Sequence, residues 1–353
     1  MVDNLCFMEK YMYLVTGGAG FFGEIILKEL LLRGNKVRSF DLNSPNLIHP
    51  NLDVVKGDVR DKKIVDSIFE NINVVHHNIA QVPLAKNKEL FWSVNYDGTE
   101  NLLKSALRNK VNHFVYTSSS AVYGVPVNNP VNDSSETVPA EEYGKAKLAG
   151  EKLCREYRSK GLNCSVIRPR TILGKGRLGI FQILFEWIYL GLNVPVFDGG
   201  DNIYQFIHAR DLANACISAG EKSNGDIYNI GTTNYASIKD AIQYVIDSSG
   251  SGSKIKSVSS KHITWLMNAT SIIGLSPLGS YHALMYGKNF YFDTSRAEKQ
   301  LNFSATYSNN EMFLESYKWY CENRDDILSK NHHKSIHQSA IKQRILRLVP
   351  YLI

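Results

Sequence analysis

The amino-acid sequence predicts an α/β fold in which a doubly wound parallel sheet carries a smaller C-terminal lobe. Up to residue 168, short apolar runs alternate with segments of helical apolar spacing, and this alternation is typical of a parallel sheet with crossover helices. After Pro169 the alternation gives way to glycine-rich loops and scattered aromatic residues. The 353 residues, 44% of them hydrophobic, are enough for a large core and an appended lobe.

The elements of the sheet domain follow one another in a regular order. The strand candidates are the apolar runs at 11–16, 36–40, 52–55, 73–76, 111–116 and 163–168. The helix candidates between them are 24–32, 61–69, 95–108 and 142–160. We therefore divide the chain into a sheet domain over 8–168, with 203–230 (above all 206–220) returning to it, a lobe over 169–324 and a basic tail over 325–353.

A glycine-rich turn, TGGAGFFG, follows the first strand candidate. Gly18, Gly20 and Gly23 have the spacing G-x-G-x-x-G, with an apolar run before them and a helical segment after them. Glycines let the backbone turn tightly and approach a pyrophosphate closely, and the helix that follows begins with unbonded N–H groups. In this context the spacing predicts a Rossmann-type domain that binds a dinucleotide.

An acidic residue, Asp41, ends the second strand candidate 18 residues after Gly23. A carboxylate about 20 residues beyond the glycine turn binds the ribose hydroxyls in such domains. It would also repel a 2′-phosphate, which favours NAD over NADP. Arg38 is the opposing observation, since a nearby guanidinium can accept that phosphate.

Tyr143 and Lys147 lie four residues apart in a helix candidate, so they share one face. A tyrosine with a pKa near 10 is a poor base at neutral pH, but a nearby ammonium and a cationic nicotinamide both favour the phenolate. Tyr143 could then exchange a proton with a substrate hydroxyl while hydride moves at the same carbon. Ser119, in the preceding TSSS, would hold the same oxygen. The Tyr-x-x-x-Lys spacing alone is often accidental, but with the glycine turn it indicates hydride transfer.

These segments together resemble the extended short-chain dehydrogenase/reductase family, which includes nucleotide-sugar epimerases, dehydratases and 3β-hydroxysteroid dehydrogenases. The resemblance covers residues 11–320 and includes KGDVRD, VNYDGTENLL, the VYG after Ser119, and Arg168-Pro169. It implies that the catalytic residues are Tyr143, Lys147 and Ser119. It implies that NAD is the cofactor and contacts Gly17, Gly18, Gly20, Phe21, Phe22, Gly23, Asp41, Asp58, Val59, Tyr143 and Lys147.

Two departures from the family pattern bear on the substrate. Family dehydratases carry Thr-Asp-Glu directly before VYG, whereas the three positions from Ser119 read Ser-Ser-Ala, so we do not expect elimination of water. Tyr204 occupies the position of an arginine that grips the diphosphate in many nucleotide-sugar epimerases, and Arg170 or Arg177 could replace that arginine. The expected substrate contacts are Ser119, Asn95, Arg170, Arg177 and Tyr204.

Three functions remain open from the sequence. The first is an NAD-dependent epimerase or ketoreductase acting on a secondary alcohol or ketone carbon, with a nucleotide-sugar as the expected substrate. The second is a dehydrogenase for a sterol-like or long-chain alcohol or ketone, because residues 263–286 form an apolar stretch without Asp, Glu, Lys or Arg. The third is a protein without catalytic activity that binds the dinucleotide as a structural or sensing ligand.

The expected partners follow from charge and cysteine usage. The net charge is +6, and five of the cations lie in the acid-free segment from Ser329 onward, so we expect a small-molecule substrate and no nucleic acid. Five scattered cysteines predict reduced thiols, no bound metal and a cytoplasmic location. We expect a homodimer. Peripheral membrane contact through 263–286, or through a basic amphipathic tail, is an alternative to simple packing of these segments.

Overall fold

A computed structural model of the chain describes residues 11–81, 88–177, 179, 181–259 and 287–329. Its centre is a seven-stranded parallel sheet with the strand order β10-β6-β5-β4-β1-β2-β3. The strands of this sheet are β1 (Met12–Thr16), β2 (Lys36–Asp41), β3 (Leu52–Lys56), β4 (Val74–His77), β5 (His113–Thr117), β6 (Cys164–Pro169) and β10 (Ile227–Ile230). The predicted α/β class with a parallel sheet is confirmed.

Helices cover both faces of the sheet, as a doubly wound arrangement requires. The helices of the first half are α1 (Phe21–Leu32), α2 (Lys62–Ser67), α3 (Lys88–Trp92), α4 (Gly98–Arg108) and α5 (Glu142–Ser159). The later helices are α6 (Phe181–Tyr189), α7 (Ala209–Lys222), α8 (Ile238–Ser249), α9 (Ser295–Leu301) and α10 (Asn309–Ser329). One apolar core joins α1 and α7 to the sheet. A second core joins α2, α4 and α5 to the opposite face.

The C-terminal lobe has its own apolar core. Side chains of α6, α8 and α10 meet there, among them Phe185, Ile242 and Phe313. Two small parallel sheets complete the lobe: β7 (Thr171–Leu173) pairs with β9 (Phe206–His208), and β8 (Val194–Phe197) pairs with β11 (Ile255–Val258).

Between 203 and 230 the chain reaches the sheet through one helix and one strand, which the sequence spacing did not separate. Within 203–230, Ile227–Ile230 alone pairs with the seven-stranded sheet, through β6. Phe206–His208 joins β7 instead. The segment after it forms α7, because the His208 side chain accepts a hydrogen bond from the N–H of Arg210 and starts the helix there. Helix α7 packs on the sheet together with α1, so 206–220 reaches the sheet as a covering helix, and the paired strand follows at Ile227–Ile230.

A second difference concerns the helix predicted over 95–108. A five-residue π-helix, Ser93–Asp97, separates α3 from α4, so the α-helix itself begins at Gly98. No helix among the described residues is both long and apolar enough to cross a membrane. The apolar stretch 263–286 and the tail beyond Ser329 lie outside the described residues, so the predictions of membrane contact stay predictions, as do the domain boundaries.

Candidate active site

The glycine turn connects β1 to α1 and leaves no room for side chains. Gly17 has a φ of +74°, and its carbonyl oxygen accepts a hydrogen bond from the N–H of Gly20 at 3.0 Å. A Cβ at Gly23 would lie 2.0 Å from that same oxygen, and a Cβ at Gly18 would lie 2.1 Å from Oγ of Ser39. The turn is therefore restricted to glycine at these positions and leads directly into the N-terminus of α1, where partial positive charge favours phosphate.

Asp41 lies beside this turn, at the carboxyl end of β2. Its Oδ2 accepts a hydrogen bond from the N–H of Ala19 at 3.2 Å, and its Oδ1 accepts one from the N–H of Asn43 at 3.1 Å. Burial raises the pKa of this carboxyl, while these backbone donors oppose the rise. Arg38 points to other partners: it binds Asp53 at 2.6 Å and donates to the carbonyl of Ile68 at 2.9 Å.

The predicted adenine-contacting pair follows β3. Asp58 binds the guanidinium of Arg60, which lowers the pKa of the carboxyl. Val59 is buried and packs against Gly98, where a Cβ would come within 2.5 Å of Val59 Cγ1. The carbonyl oxygen of Val59 accepts a hydrogen bond from Asn101 at 3.2 Å, which fixes this segment against α4.

Tyr143 and Ser119 meet at the carboxyl end of β5. Tyr143 is in the first turn of α5, and the Ser119 side chain lies close enough to its hydroxyl to lower the pKa of that group. Ser119 caps the short 3₁₀-helix Ser120–Tyr123 by accepting the N–H of Ala121 at 3.1 Å. Burial raises the pKa of Tyr143, whereas Arg177 and Ser119 lower it.

Lys147 lies one turn further along α5 and is 4% exposed. Its Nζ donates to the carbonyl oxygen of Thr117 at 2.8 Å and lies 5.9 Å from the centre of the Tyr143 ring. Burial lowers its pKa to about 8, and the nearby carboxylate of Glu151 opposes this fall. Lys147 therefore stays mainly protonated at neutral pH.

Arg177 has a role at Tyr143 that the sequence did not indicate. Its guanidinium is the cation that lowers the pKa of Tyr143, and it lies 5.6 Å from the ring centre of Phe21 in the glycine turn. Burial lowers the pKa of Arg177 itself to about 10. The turn that carries it is attached to α10, since the N–H of Gly174 donates to Oγ of Ser316 at 3.3 Å. This fold-back over the glycine turn joins residues distant in sequence, so spacing could not reveal it.

Asn95 lies in the π-helix, and its side-chain amide makes hydrogen bonds to both backbone polar groups of Gln81. Its Oδ1 accepts the Gln81 N–H at 2.9 Å, and its Nδ2 donates to the Gln81 carbonyl oxygen at 3.1 Å. A π-turn is often found at functional sites, and here it directs the amide of Asn95 onto the segment that follows β4. Its contact with substrate stays a prediction.

Arg170 and Tyr204, the other predicted substrate residues, pack on each other. The Arg170 guanidinium lies 4.7 Å from the Tyr204 ring centre and 3.8 Å from that of Phe290. It is 2% exposed and donates to Oγ of Ser120 at 3.1 Å. The Tyr204 hydroxyl is 3.0 Å from Oγ1 of Thr171. The structure thus brings Ser119, Tyr143 and Arg177 together and places Arg170 and Tyr204 in an aromatic cluster next to them.

Comparisons with known proteins identify the family of the chain. Residues 13–231 match the model of the NAD-dependent epimerase/dehydratase family. An uncharacterised protein of Sinorhizobium fredii is 47% identical over 341 residues, which is 96% of this chain and 86% of that protein. A 3β-hydroxysteroid dehydrogenase/Δ5→4-isomerase of Mycobacterium tuberculosis is 29% identical over 351 residues, covering 91% of this chain and 93% of the relative.

The fold also matches solved structures. The UDP-glucuronic acid 4-epimerase of Bacillus cereus, determined in complex with NAD, superposes with a TM-score of 0.72 at 22% identity. The match covers 88% of this chain and 99% of the epimerase.

Proposed function

The chain belongs to the NAD-dependent epimerase/dehydratase family, and on that premise we propose that it transfers hydride at a secondary alcohol or ketone carbon of a nucleotide-sugar, as an epimerase or a ketoreductase. It is an NAD-dependent enzyme of the extended short-chain dehydrogenase/reductase type. The observation that carries the proposal is the placement of Ser119 and the cation of Arg177 at the Tyr143 side chain, where both lower the pKa of its hydroxyl, with Lys147 Nζ 5.9 Å from the ring centre.

The glycine turn and Asp41 fit the cofactor. The turn is packed so tightly that a Cβ at Gly18 would meet Ser39 Oγ and a Cβ at Gly23 would meet Gly17 O, and this close packing of turn and helix suits binding of a pyrophosphate at the N-terminus of α1. Asp41 presents its carboxylate beside Ala19 of the same turn, where it could accept hydrogen bonds from ribose hydroxyls. When bound, NAD supplies the acceptor and donor of hydride.

The protein side chains move and hold the proton. Tyr143 takes the proton of the substrate hydroxyl, and Ser119 donates a hydrogen bond to the same oxygen. Arg177 favours the phenolate of Tyr143 because it lowers the pKa of that hydroxyl. Lys147, fixed by Thr117, adds a second positive charge one helical turn away. In an epimerisation Tyr143 returns the proton after the substrate carbon has been presented from its other face.

Elimination of water is not part of the proposal. The positions that hold Thr-Asp-Glu in family dehydratases are Ser119, Ser120 and Ala121. Ser120 and Ala121 lie in the 3₁₀-helix, and neither side chain is acidic. Ser120 binds Arg170 instead. No acid and base pair therefore stands at these positions to remove a hydroxyl and its neighbouring proton.

A nucleotide-sugar is favoured by the positive charge that lies beside Tyr143. Arg177 brings a cation to the rim of Tyr143, where an anionic substrate group would be attracted. Solved structures that share the fold include epimerases of UDP-sugars.

A 3β-hydroxysteroid or similar apolar alcohol is the second candidate. It is favoured by Tyr204, which stands in the place of the diphosphate-gripping arginine and packs against Arg170 and Phe206. At this position the chain has an aromatic ring where an epimerase of the sugar branch would have the arginine.

The deciding experiment incubates the NAD-loaded protein with UDP-glucose, UDP-N-acetylglucosamine, UDP-glucuronic acid and a 3β-hydroxysteroid in parallel. We expect proton NMR to show a new epimer of a UDP-sugar without net NADH, or a rise in absorbance at 340 nm if the sugar is oxidised. Oxidation of the steroid with all three sugars unchanged would replace the first function by the second. No turnover of any of the four would contradict both.

A further inference from the structure

A buried ion pair lies directly behind the catalytic residues. Glu151 and Arg168 are each 3% exposed. Arg168 binds the carboxylate with two hydrogen bonds, Nε to Oε1 at 2.9 Å and Nη2 to Oε2 at 2.6 Å. Ser118 donates a third hydrogen bond, from its Oγ to Oε1 of Glu151 at 2.5 Å. One carboxylate thus connects α5, β6 and the end of β5.

The position of Glu151 relates it to both halves of the site. It follows Lys147 by one helical turn and Tyr143 by two, so the three side chains share a face of α5. Its partner Ser118 stands between Thr117, whose carbonyl oxygen accepts a hydrogen bond from Lys147 Nζ, and Ser119, which lowers the pKa of the Tyr143 hydroxyl.

We propose that Glu151 is a positioning residue for the reaction, one that holds α5 against the serine segment and places a carboxylate one helical turn from the Lys147 ammonium. The inference rests on the proposed roles of Tyr143 and Lys147. It adds a residue that touches neither substrate nor cofactor and that acts through its neighbours.

The energetics of burial support a functional reason for this pair. Removing two charges from water is costly, and apolar residues of similar volume often stabilise a protein as well or better. Here the guanidinium of Arg168 is also held by the Tyr123 hydroxyl at 2.7 Å and the carbonyl oxygen of Asp133 at 3.3 Å. Both charged groups therefore have hydrogen-bond partners. An apolar pair at the same place would remove the carboxylate that lies near Lys147.

The charge state of Lys147 depends on groups from several elements. Burial lowers its pKa to about 8, and Glu151 is the foremost group that opposes the fall. His77 on β4 is neutral near pH 7, because burial lowers its pKa to about 3. The titratable or charged groups around Lys147 are Tyr143, Glu151 and Cys154 on α5, Tyr116 on β5, His77 on β4, and Arg168 on β6 behind Glu151.

The test is a pH titration of the Lys147 ammonium in the full chain. The titration is monitored by NMR of lysine labelled with ¹³C at Cε. The signal of Lys147 is the one absent from the Lys147→Arg variant. In the Glu151→Gln variant we expect its midpoint to fall by about one pH unit, the scale of an opposite charge within a few ångströms. This readout needs no substrate, so it stands or falls independently of the proposed reaction.

A matched control distinguishes loss of the Glu151 charge from a general destabilisation of the protein. Glu186 is also a buried carboxylate that binds an arginine twice, Arg324 at 2.7 and 2.8 Å, and accepts a tyrosine hydroxyl, Tyr320 at 2.5 Å. Glu186→Gln should leave the Lys147 midpoint unchanged. An unchanged midpoint in Glu151→Gln, or an equal fall in Glu186→Gln, would overturn the proposal.

A second variant covers the case in which Glu151→Gln does not fold because Arg168 loses its counter-charge. The double variant Glu151→Gln/Arg168→Gln removes both buried charges. A fall in its Lys147 midpoint supports the proposal, and an unchanged midpoint contradicts it.

Discussion

Tyr143 is held between two opposing influences on its hydroxyl. Burial raises its pKa, while Arg177 and Ser119 lower it. The chain therefore keeps Tyr143 protonated in the absence of a further positive charge nearby, and the cationic nicotinamide of NAD would favour its ionisation. The proton transfer assigned to Tyr143 depends on this balance and on the hydroxyl that carries it.

Replacing Tyr143 by Phe removes that hydroxyl and leaves the ring. We expect NAD binding to be retained and turnover to fall by about 10²–10⁴-fold, the usual contribution of general acid–base catalysis. Tyr228→Phe removes a buried hydroxyl on β10, bonded to Ser223 and Gln300, and should leave turnover unchanged. Near-normal turnover of Tyr143→Phe on the true substrate would show that another residue moves the proton.

Asp41 should make the protein prefer NAD to NADP. The 2′-phosphate would meet a like charge in a partly buried place, at a cost on the order of 1–3 kcal/mol, or roughly tenfold or more in affinity. Titration of both cofactors measures the difference, and Asp41→Ser should narrow it.

Asp53→Ser is the matched variant for this prediction, because it releases Arg38 from its 2.6 Å bond to Asp53. If affinity for NADP rises in Asp53→Ser and Asp41→Ser has no effect, Arg38 and not Asp41 decides the preference.

His76 should contribute to loss of stability in acid. It is 1% exposed, and neither ring nitrogen has a hydrogen-bond partner among the described residues. Burial lowers its pKa to about 3, so the unfolded chain binds a proton below about pH 6.5 that the folded chain refuses. Stability therefore falls as the pH falls from 6.5 towards 3, by about 2 kcal/mol at pH 5.

The variant His76→Phe removes this titration and keeps the ring that stacks on Tyr13. The free energy of unfolding, measured with denaturant, should differ between pH 7 and pH 5 by about 2 kcal/mol less in this variant than in the original protein. His113→Phe should reduce the pH dependence as well, because burial lowers the pKa of His113 to about 4, but it should also lower stability at both pH values, because His113 Nε2 lies 2.9 Å from Oγ of Ser165. An unaltered pH dependence in His76→Phe would show that His76 is not the group responsible.

At the scale of the elements, the strands were predictable and the contacts between elements were not. Buried parallel strands are short apolar runs, so β1 to β6 appear in the sequence within one or two residues of their bounds. The π-helix at Ser93–Asp97 has no such signal, because the apolar spacing of 95–108 continues through it. The bonds of Asn95 to Gln81 and of Glu151 to Ser118 join separate elements and have no counterpart in local spacing.

The glycine turn allows a sharp test at this scale. In Gly23→Ala the new Cβ would meet Gly17 O at 2.0 Å and Gly18 Cα at 2.9 Å, both backbone atoms that cannot rotate away. We expect NAD affinity to fall at least tenfold and stability to fall by about 1–3 kcal/mol, as in other overpacked sites.

Gly252→Ala is the control for this substitution, since a Cβ there has no atom within 4 Å. Calorimetry of both variants with and without NAD makes the comparison. Normal NAD affinity in Gly23→Ala would contradict the assignment of the turn as the phosphate site.

At the scale of the whole molecule, the tail should be separable from the chemistry. Helix α10 ends at Ser329, and its buried residues include Phe313, Tyr320 and Ile327, so a chain that ends at Ser329 keeps these contacts. We expect it to bind NAD and turn over normally. Its sedimentation with anionic vesicles should fall, because five cations are lost, each worth about 1 kcal/mol near such a surface.

Two results would contradict the predicted function of the tail. Equal vesicle binding by the shortened chain would exclude the tail as a membrane contact. Failure of the shortened chain to fold would make the tail part of the core. Native mass measurements of both chains also test the predicted homodimer.

The position of β10 late in the sequence has a consequence during synthesis on the ribosome. Six strands of the sheet are complete when Pro169 emerges, but the strand that covers β6 is Ile227–Ile230, made only after β7, α6, β8, β9 and α7. Until then the growing chain carries β6 with its N–H and C=O groups unpaired on one side, a template for wrong partners. Because the chain is made from its N-terminus, the seven-stranded sheet cannot be completed until part of the lobe has been synthesised. A gene cut after residue 168 would encode a fragment with that open strand, prone to aggregate rather than to fold alone.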